Sequence, residues 1–284
     1  MATTDIYTVQ GSLSPSRAAI RFLGGNVDDG VQVDAWAAAM VAGNHTKGTI
    51  TAWIMMPDYT PSTQYVIFGA GDANAAEYMY FCVTTARKLQ FVVYDGASTR
   101  IDVSTTSACI TPHKWHHVAL VQDALNPKIY VDGVNQALTF ATSTEITQWF
   151  DDTDGIDGGH IGAADSIAGD AALTLEYKGY ISTFKMWSGT TDAKALSEAE
   201  VKKDFAGAST SATPDVWFNM EENVVDLGTG GGTYNGTIVG ALIYVDASEF
   251  SSKLSFGCGV PVTADNIVMS ISGNQGYALV VQQA

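Results

Sequence analysis

The sequence predicts an all-β protein, an antiparallel β-sandwich with one short helix. Three observations support that class. Short apolar runs recur at even spacing from residue 19 to residue 245, separated by turn clusters such as Gly24-Gly25-Asn26, Asp72-Ala73-Asn74 and Asp95-Gly96. That is the pattern of a sandwich rather than of alternating strands and helices. A central stretch, His113 to Gly133 (HKWHHVALVQDALNPKIYVDG), reads as two strands and the turns that bound them. One segment, Ser197 to Phe205, reads clearly as a helix, with Ser197 as its cap and Glu200 completing a capping box.

Taken in order, residues 1–18 are polar, contain Gly11 and Pro15, and form an N-terminal arm. Strands are predicted at 19–23, 30–33, 48–55, 65–69, 78–84, 88–94 and 99–104. Asp34 to Val41, DAWAAAMV, fits either a short helix or an apolar loop. In the strand that follows His113, the residues Trp115, His117, Ala119 and Val121 alternate with His116, Val118, Leu120 and Gln122. Neighbouring side chains of a strand point to opposite faces, and both sets are largely apolar, so this strand is central and covered on both sides. Asn126-Pro127 breaks the chain, Lys128–Val131 forms the next strand, and Asp132-Gly133 is a hairpin turn. Between Ala137 and Asp170 the pattern loosens into a long loop over a sheet, with Trp149-Phe150 ahead of an acidic, Gly-rich run. Pro214 to Val245 reads as two strands around a Gly-rich turn. Residues 246–284 form an extra hairpin, Asn266–Ser272 against Tyr277–Gln282, which must pack on something because a lone hairpin is marginal in water.

Several of these segments, in this order, resemble laminin G-like domains of the concanavalin A-like lectin superfamily. They are IRFLGGNVDDGVQV from Ile20, GTITAWIMMP from Gly48, the Trp-His-His-Val-Ala and Ile-Tyr-Val-Asp-Gly pair, His160-Ile161-Gly162, and YKGYISTFKMW from Tyr177. The resemblance covers roughly residues 18–245. It implies a concanavalin A-like jelly roll over 19–245. Outside it lie the arm at 1–18 and the C-terminal hairpin at 246–284, which either serves as an assembly extension or folds back on its own sandwich. The resemblance predicts Trp53, Phe68, Phe91, Trp115, Val131, Phe184 and Trp187 between the two sheets. The family holds lectins, adhesion domains, enzymes and structural modules, so it implies a fold without choosing a function.

Composition narrows the choice. The 284-residue chain carries a formal charge of −16, and its one Lys pair, Lys202-Lys203, lies on the predicted helix. Phosphate backbones and anionic membrane surfaces both need clustered basic residues, so neither is an expected partner. No run approaches the ~18 apolar residues of a membrane span. MATTDIYTVQ has neither a basic n-region nor an apolar h-region, so no signal peptide is expected. Cys82, Cys109 and Cys258 are odd in number and form no C-x-x-C pair, which fits buried thiols rather than a disulfide framework.

No catalytic constellation is legible. Glycosidases of this fold use two carboxylates from one strand that flank the scissile bond, and the adjacent Glu221 and Glu222 would face opposite sides of a strand and cannot form that pair. His116 and His117 likewise point apart and read as packed side chains rather than metal ligands. The expectation is a protein that is not an enzyme. Tyr59, Trp149 and Tyr234 are the candidates for stacking on sugar rings. Calcium, a hard ion that takes loop oxygens, is the one cofactor with a candidate site, at Asp151, Asp152 and Asp154. The favoured reading is a non-catalytic virion surface component, such as a capsid-decoration, fibre or spike protein, that contacts other copies of itself or other virion proteins. The alternative is a carbohydrate-binding or adhesion module of a secreted or cell-surface protein, with surface glycans as ligands.

Overall fold

The computed structural model describes residues 6–8, 18–25, 28–57, 60–150, 153, 155–165, 173–220, 223–246, 267–270 and 278–281. In chain order the elements begin β1 (Ile6–Thr8), β2 (Ala18–Phe22), β3 (Gly30–Gln32), α1 (Asp34–Ala42), β4 (Lys47–Met55), β5 (Tyr65–Gly71), β6 (Glu77–Val83), β7 (Leu89–Asp95) and β8 (Thr99–Thr105). They continue with β9 (His116–Gln122), β10 (Lys128–Val131), β11 (Val134–Asn135), β12 (Leu138–Ser143), β13 (Gly158–Ile161), β14 (Gly179–Gly189) and α2 (Glu198–Phe205). The chain closes with β15 (Val216–Phe218), β16 (Thr237–Val239), β17 (Ile243–Asp246), β18 (Ile267–Ser270) and β19 (Ala278–Val281).

The strands form two large sheets and a small one. The first runs β11-β10-β9-β4-β14-β2-β17, with β15 paired to β14. The second runs β12-β8-β7-β6-β5-β13-β3-β16. The third is β1-β19-β18, which joins the predicted C-terminal hairpin to three residues of the N-terminal arm. Pairing is antiparallel throughout. One continuous core fills the space between the large sheets. It includes Ile50, Ile54, Val118, Leu120 and Phe184 of the first, and Ile67, Phe68, Phe81, Phe91 and Ile161 of the second.

The stretch from His113 behaves as its alternation predicts. All seven residues of β9 are buried. Val118 and Leu120 face the core, while Ala119 and Val121 join a separate cluster with Leu196 and Val201. Asp132 (φ 51°) and Gly133 (φ 75°) both occupy the left-handed region, as a two-residue hairpin turn requires. The Asp132 side chain locks that turn to β9: Oδ1 accepts from His117 N at 2.9 Å, and Oδ2 lies 2.9 Å from His116 Nδ1. His116 Nε2 accepts from Thr111 N, so the ring proton sits on Nδ1. The two histidines point to opposite faces and serve structure.

Four sequence expectations change. First, Trp53, Trp115 and Trp187 are buried, but on the outer face of the first sheet instead of between the sheets. Strand period explains Trp53: Ala52 and Ile54 face the core, so Trp53 faces away. Phe68, Phe91, Val131 and Phe184 lie in the core as expected. Second, the open choice at Asp34 resolves as helix α1, whose Trp36, Ala37 and Met40 join the core. Third, β12 lies inside the stretch read as loop. It is an exposed edge strand with a register shift between Phe140 and Thr142, so it lacks clean alternation. Fourth, Pro214–Val245 supplies three strands: β15 and β17 join the first sheet and β16 the second.

Trp115 packs with Ala19, Trp53 and Val245, joining β2, β4 and β17 to the start of β9. Trp115→Ala is expected to lower the unfolding free energy by ~3–5 kcal/mol, because a cavity replaces a large buried ring. Urea denaturation monitored by circular dichroism tests this, and an unchanged midpoint would refute the placement.

Candidate functional site

A groove of about 370 Å³ lies on the outer face of the first sheet, beside α2. Three local features build it. Strand β15 alternates, with Val216 and Phe218 in the core and Trp217 therefore on the outside. Register places Trp217 opposite Lys185 of β14, and the Lys185 ammonium stands 5.1 Å from the Trp217 ring centroid. Helix α2 lies alongside, with Val201, Asp204 and Phe205 toward the sheet: Val201 packs on Val121 and Trp187, and Phe205 stacks on Trp53 at 5.6 Å.

Ser197 caps this helix as predicted, its oxygen accepting from Glu200 N. The other half of the capping box does not form. Glu200 turns outward to Lys203 and accepts from Ser211 N, holding the segment that follows the helix. Gly207 (φ 71°) ends α2, with Ala208 N donating to Lys203 O and Gly207 N to Asp204 O. That pattern is a Schellman closure, and it sends residues 207–213 back along the groove as its rim. Trp187 Nε1 donates to Ala212 O at 2.8 Å and pins the rim to the sheet.

The electrostatics centre on Asp204. Its Oδ2 lies 3.0 Å from His117 Nε2, and its Oδ1 accepts from Lys185 Nζ at 2.6 Å. Burial alone would push this carboxyl up. The His117 hydrogen bond and the Lys185 charge outweigh it and hold the carboxyl well below the ordinary range. Asp204 is therefore an ionised acceptor and not a proton donor. It is the only carboxylate among the described residues that line the groove. Beside it the groove is lined by its ion-pair partner Lys185, by Trp53 and Trp217, and by neutral groups that include Thr183, Ser209, Thr210, Thr213 and Asn219. The Trp217 Nε1 is buried and has no partner among the described residues.

The residues singled out in the sequence fare differently. Trp149 is wholly buried. Its ring lies over Gly48, where a Cβ would stand 2.6 Å away, and its Nε1 donates to Ser188 Oγ at 3.1 Å. It closes the end of the core beside Phe91 and Phe150 and presents no face to a sugar. Tyr234 is half-buried and lines a second, smaller cavity of about 190 Å³ with Gln32, Asp34 and Trp36. Tyr59, Asp151, Asp152 and Asp154 lie outside the described residues, as do Glu221 and Glu222. Sequence reading missed the groove itself. The one signal available was alternation in Val216-Trp217-Phe218, which puts a single Trp on a face opposite two core residues.

Fold and site define a lectin-like β-sandwich, and comparison with known families agrees. The model of the concanavalin A-like lectin/glucanases superfamily matches residues 24–202, and the chain belongs to that family. Among solved structures, the CBM40 of Ruminococcus gnavus IT-sialidase is similar at 16% identity, covering 69% of this chain and 100% of that chain, with a TM-score of 0.51. The same module bound to alpha2,3 sialyllactose gives 16% identity, coverage of 65% and 97%, and a TM-score of 0.50. A heptameric SAP-like pentraxin from Limulus polyphemus gives 14% identity, coverage of 82% and 96%, and a TM-score of 0.49. No curated protein matches the chain. Among the described residues, no helix is long and apolar enough to cross a membrane.

The depressed Asp204 pKa fixes the sign of a pH effect. The ionised group contributes stability that is fully present above the unfolded carboxylate value of about 4 and is lost as the pH falls toward the lower native value. Asp204→Asn leaves His117 and Lys185 without their charge partner and is expected to cost ~3–5 kcal/mol at neutral pH. The acid limb of its stability profile should also flatten below about pH 4. Urea titrations at a series of pH values read both, and a wild-type acid limb in the variant would exclude Asp204 as its source.

Proposed function

We propose that this chain is a non-catalytic glycan-binding domain and that its ligand occupies the groove between Trp217 and the 207–213 rim. The single observation that supports this is the lining: an aromatic wall and neutral hydroxyl and amide groups around one carboxylate and one ammonium that are engaged with each other. Aromatic rings offer apolar faces to sugar rings, and a few convergent polar groups fix orientation. Glycoside hydrolysis needs a second carboxyl whose pKa is raised, and in this groove the one carboxyl is lowered. The Ruminococcus gnavus module, similar in fold, has been solved bound to alpha2,3 sialyllactose, which makes that trisaccharide a sensible first probe. Glycan-array screening of the wild type, followed by titration of the best ligand, tests the reading. Trp217→Ala should keep the β-type circular dichroism and lose about 2 kcal/mol, roughly 30-fold in affinity. A wild type that binds no glycan overturns the function, and a Trp217→Ala that binds as the wild type overturns the site.

A second reading concerns the setting. We infer that the domain works as a surface component of a larger assembly, with a virion as the instance that suits its sequence. The small terminal sheet supports this. Its register rows are Ile6–Val280–Val268 and Tyr7–Leu279–Met269. The sheet stands apart from the two large ones and joins the two ends of the described chain through backbone pairing alone. A second copy of the chain can extend such a sheet by strand addition at an edge. Deleting residues 247–284 should preserve the β-spectrum and dissociate the oligomer in light scattering. An unchanged oligomeric state, or an unfolded product, would remove the assembly role.

A further inference from the structure

The second sheet ends in a long open edge. Among the described residues β12 pairs with β8 alone, and Thr139, Phe140, Ala141 and Ser143 of β12 are exposed. The ladder fixes which main-chain groups are free. Thr106 N donates to Ala137 O, and Thr144 N to Arg100 O. Hydrogen-bonded pairs alternate along an antiparallel ladder, so Thr139 and Thr142 also turn their N–H and C=O groups to β8. Leu138, Phe140 and Ser143 turn theirs outward, where the described residues supply no further strand.

Such an edge is a template for another chain, and natural proteins blunt it with shortness, Lys, Pro or a bulge. The other edges of the two large sheets are short: β11 has two residues, β16 three and β17 four. Strand β12 has six, and its sequence, LTFATS, carries no charge and no Pro. Its one guard is the register shift between Phe140 and Thr142. Apolar surface gathers on the same side of the sandwich. Two residues join β11 to β12, which end the first and second sheets, and Val134 and Phe140 on them are 59% and 38% exposed.

Charge selects the occupant. Copies of a chain with a formal charge of −16 repel one another wherever acidic surfaces meet. From Val134 to Thr144 there is no charged residue, and Arg100 at the start of β8 is already paired with Asp95 and Glu145. A copy can therefore approach this edge without like charges meeting. A basic partner, which the overall charge would attract, finds no carboxylate on the strand. An antiparallel strand can also meet its own copy about a twofold axis, so one contact closes the pair and leaves no open end.

We propose that β12 is the docking edge for a second copy of this chain, pairing antiparallel with its counterpart so that the second sheet continues through both subunits. The contact uses neither the terminal sheet nor any residue that lines the groove. Six residues a side bury less than the ~1,200 Å² of a standard interface, so the pair is weak and depends on concentration.

Sedimentation equilibrium of the full chain from about 1 μM to about 1 mM spans the range such a contact needs. The mass should rise from one chain toward two or a multiple of two. Ala141→Lys lowers the net negative charge, so general repulsion falls, yet it sets two ammonium groups against each other across the axis. Ser143→Pro removes an N–H that β8 does not use. Each variant should keep the β-type circular dichroism and weaken self-association at least about tenfold. A wild type that stays at one chain throughout overturns the proposal. So does a folded Ala141→Lys that associates as the wild type does.

Discussion

Asp204 is the buried charge on which the outer half of this molecule depends. Its two oxygens reach His117 on β9 and Lys185 on β14, the two neighbours of β4 in the first sheet. One carboxylate thus fastens α2 across three adjacent strands. Such a cluster adds little net stability compared with apolar packing, because desolvating the charges offsets much of their attraction. Its effect is positional. With Asp204 fixed, Phe205 falls on Trp53 and Val201 on Trp187, and the outer face is covered. Without it, a strip of large aromatic side chains would meet water.

The two sheets treat their outer faces differently, and the difference locates the groove. On the second sheet, the exposed side of β6, β7 and β8 carries stacked Tyr78, Tyr80 and Tyr94 and an amide-carboxylate chain from Gln64 through Gln90 to Asp102. Those groups satisfy one another and tolerate water. On the first sheet, Trp53, Trp115, Ala119, Val121 and Trp187 demand cover. Helix α2 spans only eight residues, about 12 Å at the usual rise, and cannot roof the whole face. It roofs β9 and β4. The β14–β15 margin is left to the returning segment, and the gap between helix and segment is the groove.

Legibility in the sequence followed the same physics. Strands with period-2 burial on at least one face were readable, and β9, β10 and their Asp132-Gly133 turn stood out because packing and turn chemistry agree there. What failed had no local signature. The exposed edge strand β12 has no buried face to impose alternation. The face to which Trp53 or Trp187 belongs depends on register with strands far away in sequence. Trp149 looked like a loop aromatic beside acidic residues, but Gly48, a hundred residues earlier, vacates the space that buries it. The groove was illegible for a stronger reason. Lys185, Asp204 and Trp217 come from β14, α2 and β15, and only the β14–β15 register and the α2 clamp make them neighbours.

That dependence constrains what the groove can do. Lys185 serves two structural partners at once, Asp204 by hydrogen bond and the Trp217 ring by charge. A ligand that took Lys185 as a simple cation would have to break the pair that holds α2, and the cost of an uncompensated buried carboxylate opposes that exchange. The cation is thus already spent inside the fold. In the proposed reading, recognition falls on the Trp217 ring and on the neutral groups of the rim. A ligand with an apolar face and hydroxyl groups can use them without disturbing Asp204, and a ligand that relies on charge alone cannot.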